Sequence, residues 1–171
     1  MKKIIALVLC IVLTLSFAAC TAGNKDNKKS NAQTGSKAQI AKPLASFDTI
    51  DDAAKAAGFE VTAPDEISGK KLTLIQGIKN ASETGYNTIS LTYGDSKITL
   101  RKGKGADDVS GDYNDYADIG ISDVGGKSIT QYGIDIKVYK AIWTDGDFSY
   151  SITAENGLSS EEIDAIAAKL A

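Results

Sequence analysis

The chain has 171 residues, a formal net charge of −3, two cysteines and no histidine. The missing imidazole removes the commonest general base and the commonest metal ligand. Charge is uneven along the chain: Thr21–Lys42 carries five lysines against one aspartate, while residues 43–171 hold twelve basic and twenty-one acidic side chains. So acidic a domain argues against nucleic acid as a partner, because phosphate contacts need clustered Lys and Arg.

The chain opens with Met1-Lys2-Lys3, followed by twelve residues from Ile4 to Leu15 in which only Thr14 is polar. Ser16-Phe17-Ala18-Ala19 then leads small side chains up to Cys20. A charged start, a short apolar run and small residues before a cut form the secretory pattern. The run is also short for a membrane span, which takes about 20 apolar residues. With Cys directly after Ala-Ala, residues 1–19 resemble a bacterial lipoprotein signal peptide. That resemblance implies transfer of a diacylglyceryl group to the Cys20 thiol, cleavage before that residue, and a lipid-anchored protein on the extracytoplasmic face of the cell membrane. Phe17 departs from the aliphatic residue usual at that position. An uncleaved N-terminal anchor is the alternative, and it too tethers the chain outside the cytoplasm. With Cys10 removed and Cys20 acylated, the mature chain has no thiol for a disulfide.

Thr21–Lys42 has Ile40 as its only large apolar residue. Such a segment buries too little surface to offset its ordering entropy, so residues 20–42 read as a lipidated cysteine with a disordered basic linker. A 22-residue linker has an r.m.s. span of roughly 26 Å. Residues 43–171 then match one ordinary domain in size.

At the front of that domain, Thr49 suits a helix N-cap, Asp51 and Asp52 complement the helix dipole, and Gly58 suits the C-terminal cap. Ile50, Ala53, Ala54 and Ala57 share one face of this helix, and Pro64 blocks its continuation. Leu72 to Ile78 alternates as a strand. Ile89, Leu91 and Tyr93 alternate up to the turn Gly94-Asp95-Ser96, and Ile98 and Leu100 return from it as a hairpin. Ile119-Gly120-Ile121 opens another strand, and Gly125-Gly126 marks a turn. Ile134 to Trp143 reads as one long strand with Ile134, Ile136, Val138 and Ile142 on one face. Asp145-Gly146 is a hairpin signal, and Phe148, Tyr150 and Ile152 alternate on the return. Ser159-Ser160-Glu161-Glu162 supplies a capping box, with Ile163, Ile166, Ala167 and Leu170 forming the stripe behind it. The expectation is an α+β fold: an antiparallel sheet of about six strands with an N-terminal and a C-terminal helix packed on one face.

The segments AAKAAGFEVTAP, ISLTYGDSKITL, GIDIKVYKAIWTDGDFSYSITA and GLSSEEIDAIAAKL together resemble a domain family of unknown function. That family is found in Gram-positive lipoproteins and in the extracytoplasmic part of anti-sigma-factor-like membrane proteins. The resemblance spans nearly all of residues 47–170 and implies an extracytoplasmic accessory or sensory domain. Its motifs are turns, caps and a Trp strand, which specify a fold and no chemistry. Where the family usually shows a second proline and a Gly-Tyr, this chain has Asp65-Glu66-Ile67-Ser68-Gly69.

Gly125-Gly126-Lys127-Ser128 imitates a phosphate loop, but the glycine spacing is off by one and an alternating segment follows in place of a helix. No His, no free thiol and no Gly-x-Ser-x-Gly elbow is present, so the reading is non-enzymatic and without a cofactor. The weak metal candidates are Asp107, Asp108, Asp112, Asn114, Asp115 and Asp118, oxygen donors of the kind Ca²⁺ takes. Their spacing fails the EF-hand template, and glycines at 103, 105 and 111 suggest a mobile loop. Tyr113 and Tyr116 in the same loop are candidate contact residues. Trp143, in the strongest strand, reads as core. The functional expectation is a binding or sensory module for an envelope protein or lipid, with a calcium- or carbohydrate-linked site in loop 107–118 as the alternative. The anchor reading predicts that Cys20→Ala abolishes fatty-acid incorporation and blocks processing. Metabolic labelling of the full-length chain checks this, and wild-type protein that takes up no label would sink it.

Overall fold

The computed structural model describes residues 43–79, 85–95 and 97–170; the expected signal peptide, Cys20 and the basic linker lie outside the described residues. Two helices form where the sequence supplies their ends. Helix α1 (Ile50–Ala57) starts where the Thr49 hydroxyl accepts from the Asp52 amide at 3.1 Å, and stops at Gly58, whose φ of 72° suits glycine. It buries only Ala53, Ala54 and Ala57. Helix α2 (Ser160–Ala167) begins with the reciprocal capping box between Ser159 and Glu162 and buries Ile163, Ile166 and Ala167.

The strands are β1 (Leu44–Phe47), β2 (Glu66–Ile67), β3 (Lys70–Ile78), β4 (Thr88–Tyr93), β5 (Ile98–Lys104), β6 (Asp118–Val124), β7 (Lys127–Ile134), β8 (Lys137–Asp145) and β9 (Phe148–Leu158). Their order is β1-β3-β4-β5-β9-β8-β7-β6, with β2 paired to β3, and every pairing is antiparallel. This overturns the expected architecture of about six strands under a layer of helices. The described residues form a nine-stranded sheet, and each helix has only eight residues. Helix α1 touches β1, β3 and β4, whereas α2 touches β6, β8 and β9, so neither spans the sheet. Two further strands, β1 and β2, are too short for their alternation to show in sequence, and their pairing with β3 defines them.

The long strand expected from Ile134 to Trp143 is also two pieces. Strand β7 ends at Ile134, Asp135 turns the chain at φ 56°, and β8 begins at Lys137. Ile136 belongs to the turn and is 89% exposed. A turn built partly from isoleucine keeps the apolar alternation running through it, and period alone does not show the break.

The sheet has two unlike faces. On one, Ile89, Leu91, Ile98, Leu100, Ile129, Ala141, Trp143, Tyr150 and Ile152 pack with residues of both helices into one core. Tyr93 is fully buried there, and its hydroxyl donates to the Pro64 carbonyl at 2.6 Å, which pins the segment after α1. Trp143 and Tyr150 are direct cross-strand partners with rings stacked at 5.2 Å and 5°. Such pairs are the unit of sheet stabilisation. The Trp143 indole N–H is buried without a partner, so this residue contributes by area and stacking alone. Trp143→Ala is expected to cost about 3 to 5 kcal/mol, and Trp143→Phe much less. Chemical denaturation of the three proteins checks the order.

Candidate functional site

The sheet order dictates the site. The β3-β4-β5 meander and the β6-β7-β8-β9 meander are joined because β9 returns to pair with β5. The connection from β5 to β6 must therefore cross β9, β8 and β7, a distance of about 19 Å at ordinary strand spacing. Residues 105–117 make this crossing over the face opposite the core. That face is lined by Thr88, Ser90 and Thr92 of β4, Arg101 of β5, Ser149, Ser151 and Thr153 of β9, and Lys140 and Ile142 of β8. Ser90, Ser149, Ser151 and Lys140 are all buried there.

Two cations hold the crossing segment down. Arg101 donates from Nη1 to the carbonyls of Val109, at 3.1 Å, and Ser110. Burial lowers the Arg101 pKa, and the neighbouring Tyr113 and Asp108 oppose that shift. Gly111 has φ +65°, and any Cβ there would run into the Arg101 guanidinium, so glycine is what lets Arg101 approach. Lys140 donates to the Asp112 carbonyl at 3.1 Å and lies 3.6 Å from an Asp108 carboxylate oxygen. Its ammonium also sits 4.6 Å from the Tyr132 ring centre and 5.9 Å from that of Tyr116, a cation–π arrangement. A bulge in β8 makes this possible: the register skips Tyr139, whose ring stacks on Tyr116 at 5.9 Å.

Within the segment, Asp112 organises the turn. One carboxylate oxygen accepts from the Asn114 amide at 3.0 Å and from Asn114 Nδ2 at 2.7 Å, and the other accepts from the Tyr116 hydroxyl at 2.6 Å. Burial alone would raise the Asp112 pKa; the hydrogen bonds from Tyr116 and Asn114 and the charge of Lys140 together outweigh it and hold the carboxyl below its ordinary value. Tyr116 responds in the opposite direction, pushed up to about 12 by burial and by its bond to Asp112. Asp108 accepts from the Ser110 amide at 2.7 Å. The loop expected to be mobile is thus a strap with its own internal bonding.

The six weak metal candidates are dispersed along it. Asp108 and Asp112 are engaged as described, and Asn114 donates its side-chain amide to Asp112. Asp107 and Asp115 are exposed, and Asp118 is the exposed first residue of β6. Among the described residues, no group of three or more acidic, His or Cys side chains is placed to hold a metal ion. On one side of the strap, Asp107, Asp108, Ser128, Thr130 and Thr144 line a cleft of about 230 Å³. On the other lies an open groove of about 670 Å³ lined by Arg101, Tyr113, Asn114, Tyr116, Tyr139 and Glu155. Tyr113 is 94% exposed at its edge.

Sequence reasoning singled out Tyr113 and Tyr116 and missed Arg101, Lys140 and Tyr139. Two signals were available. Arg101 is the single arginine among nineteen basic residues, and its rigid fork of donors suits bridging two carbonyls. Lys140 interrupts the apolar run VYKAIW, where a cation needs a partner. Comparison with known proteins finds no matching family model, no similar curated protein and no similar solved structure.

The strap carries an acid signature. A carboxyl whose folded pKa is depressed contributes stability that is full above its unfolded value, about 3.9, and is lost as pH falls through the folded value. Amide protection factors across residues 105–117, corrected for the intrinsic pH dependence of exchange, are therefore expected to fall below about pH 4 while those of the core hold. Asp112→Asn should raise exchange in the strap already at neutral pH and flatten its dependence on acid.

Proposed function

We propose that this chain is a lipid-anchored extracytoplasmic protein whose domain is a non-enzymatic binding or sensory module, and that it engages its partner through the groove beside the strap. The anchor rests on the leader ending at Cys20 and on the resemblance to the lipoprotein-associated domain. Among the described residues no helix is long and apolar enough to cross a membrane. The observation that carries the binding reading is the presentation of Tyr113: an exposed aromatic ring on a segment whose backbone is fixed by Arg101 and Lys140. An aromatic held ready in this way loses little freedom on contact, and Tyr is enriched among the residues that dominate binding energy.

A carbohydrate is the second reading, favoured by the tyrosines lying beside amide and guanidinium donors in one open groove. The calcium version has no support in the geometry, since Asp108 and Asp112 serve the strap itself. Binding of the immobilised full-length protein to isolated envelope protein and to cell-wall glycan tests the two readings. Tyr113→Ala is expected to weaken the productive interaction at least tenfold, about 1.4 kcal/mol, with an unchanged melting temperature. Equal binding by wild type and variant would remove the groove from the proposal.

A further inference from the structure

The two edges of the sheet are unlike. At one end, β1 has four residues and follows directly on Pro43, so it offers little to an incoming strand. At the other, β6 has seven residues in unbroken register with β7, from Asp118 opposite Gly133 to Val124 opposite Lys127. Strand β6 contains no lysine, proline or bulge, and its two charges, Asp118 and Asp123, stand near its ends and leave Ile119 to Ser122 without an edge-protecting device. Among the described residues β7 is its only strand partner, and α2 meets it through the bond from the Ser122 hydroxyl to Asp164 at 2.6 Å on the core face. Strand β6 also carries Ile119 and Ile121, which are 66% and 74% exposed. Both lie on the strap side of the sheet, opposite Tyr132 and Thr130 of β7.

We infer that β6 pairs antiparallel with β6 of a second copy of this chain, in the register that sets Gly120 opposite Gly120. The sequence Asp118-Ile119-Gly120-Ile121-Ser122 is self-complementary about its glycine. In that register Ile119 of each copy faces Ile121 of the other, and four isoleucines meet on one face. Asp118 faces Ser122 and Asp123 faces Ala117, so no carboxylate opposes another. Centring on Ile121 would set Ile119 against Asp123. Centring on Ile119 would leave Ile121 against Ala117. Shifting by a single residue would put isoleucine on one face opposite glycine on the other, which the pleat forbids. The two-fold symmetric pairing is an isologous interface, the commonest kind in soluble assemblies. Two seven-residue strands bury less than the roughly 1,200 Å² of a stable interface, so the dimer forms and dissociates with concentration.

Paired charge variants of the full-length chain read the register directly. Ile119→Lys with Ile121→Lys sets like charges opposite each other and should leave the protein monomeric in sedimentation at concentrations where the unsubstituted chain dimerises. Ile119→Glu with Ile121→Lys sets Glu opposite Lys in both pairs and should restore the dimer. Gly120 has ordinary backbone geometry and a Cβ there meets nothing within 4 Å. Gly120→Cys should therefore fold and, on oxidation, cross-link to itself above the level of the unsubstituted chain, while Ser122→Cys should not. A wild-type protein that stays monomeric, two charge variants that behave alike, or a Gly120→Cys chain that fails to cross-link each overturns the inference.

Discussion

The return of β9 to pair with β5 imposes the constraint from which the domain's surface follows. Because β9, β8 and β7 stand between β5 and β6, the chain has to cross the sheet between those two strands. One face already carries the helices and the apolar core, so the crossing is made over the other. That face consequently carries buried hydroxyls where an antiparallel sheet ordinarily meets water. Lys140 and Arg101 are the physical answer: each rises from the sheet, finds carbonyl oxygens in the strap, and replaces lost hydration with charge-assisted hydrogen bonds. Ser149 and Ser151 are left buried without protein partners, so the strap does not satisfy every hydroxyl it covers.

The features legible in sequence were the local ones. Thr49, Gly58 and the Ser159–Glu162 box act within a turn of themselves, and they cap the helices as their spacing requires. The turns at Gly94-Asp95 and at Asp145-Gly146 join strands as read. What failed depends on partners far along the chain. Strand β1 is a strand because Leu44 to Phe47 find Ile78 to Ile75, and no pattern in four residues announces that. The break at Asp135 was hidden because Ile134 and Ile136 continue the apolar alternation across it.

The site was half legible for the same reason. Tyr113 and Tyr116 stand in a conspicuous loop, and their chemistry is visible one residue at a time. The carboxylates around them suggested a cation from outside, whereas the cation that Asp108 and Asp112 meet is Lys140, from a strand whose place beneath them depends on the long-range pairing of β8 with β9. A composition rich in aspartate does not say whether its counter-charge comes from solvent or from the fold.

Strand β9 is the last strand in the chain and lies in the middle of the sheet, between β5 and β8. Its position has a kinetic meaning. Ile98 has no partner on one side until Ala154 exists, and the hydroxyl face has no floor for the strap until β8 and β9 are in place. Long-range pairings of this kind are slow, because loop entropy is spent before contacts repay it. A chain delivered from its N-terminus therefore stays open until nearly its last residues arrive, and the strap closes over its hydroxyl face only after the sheet beneath it is whole.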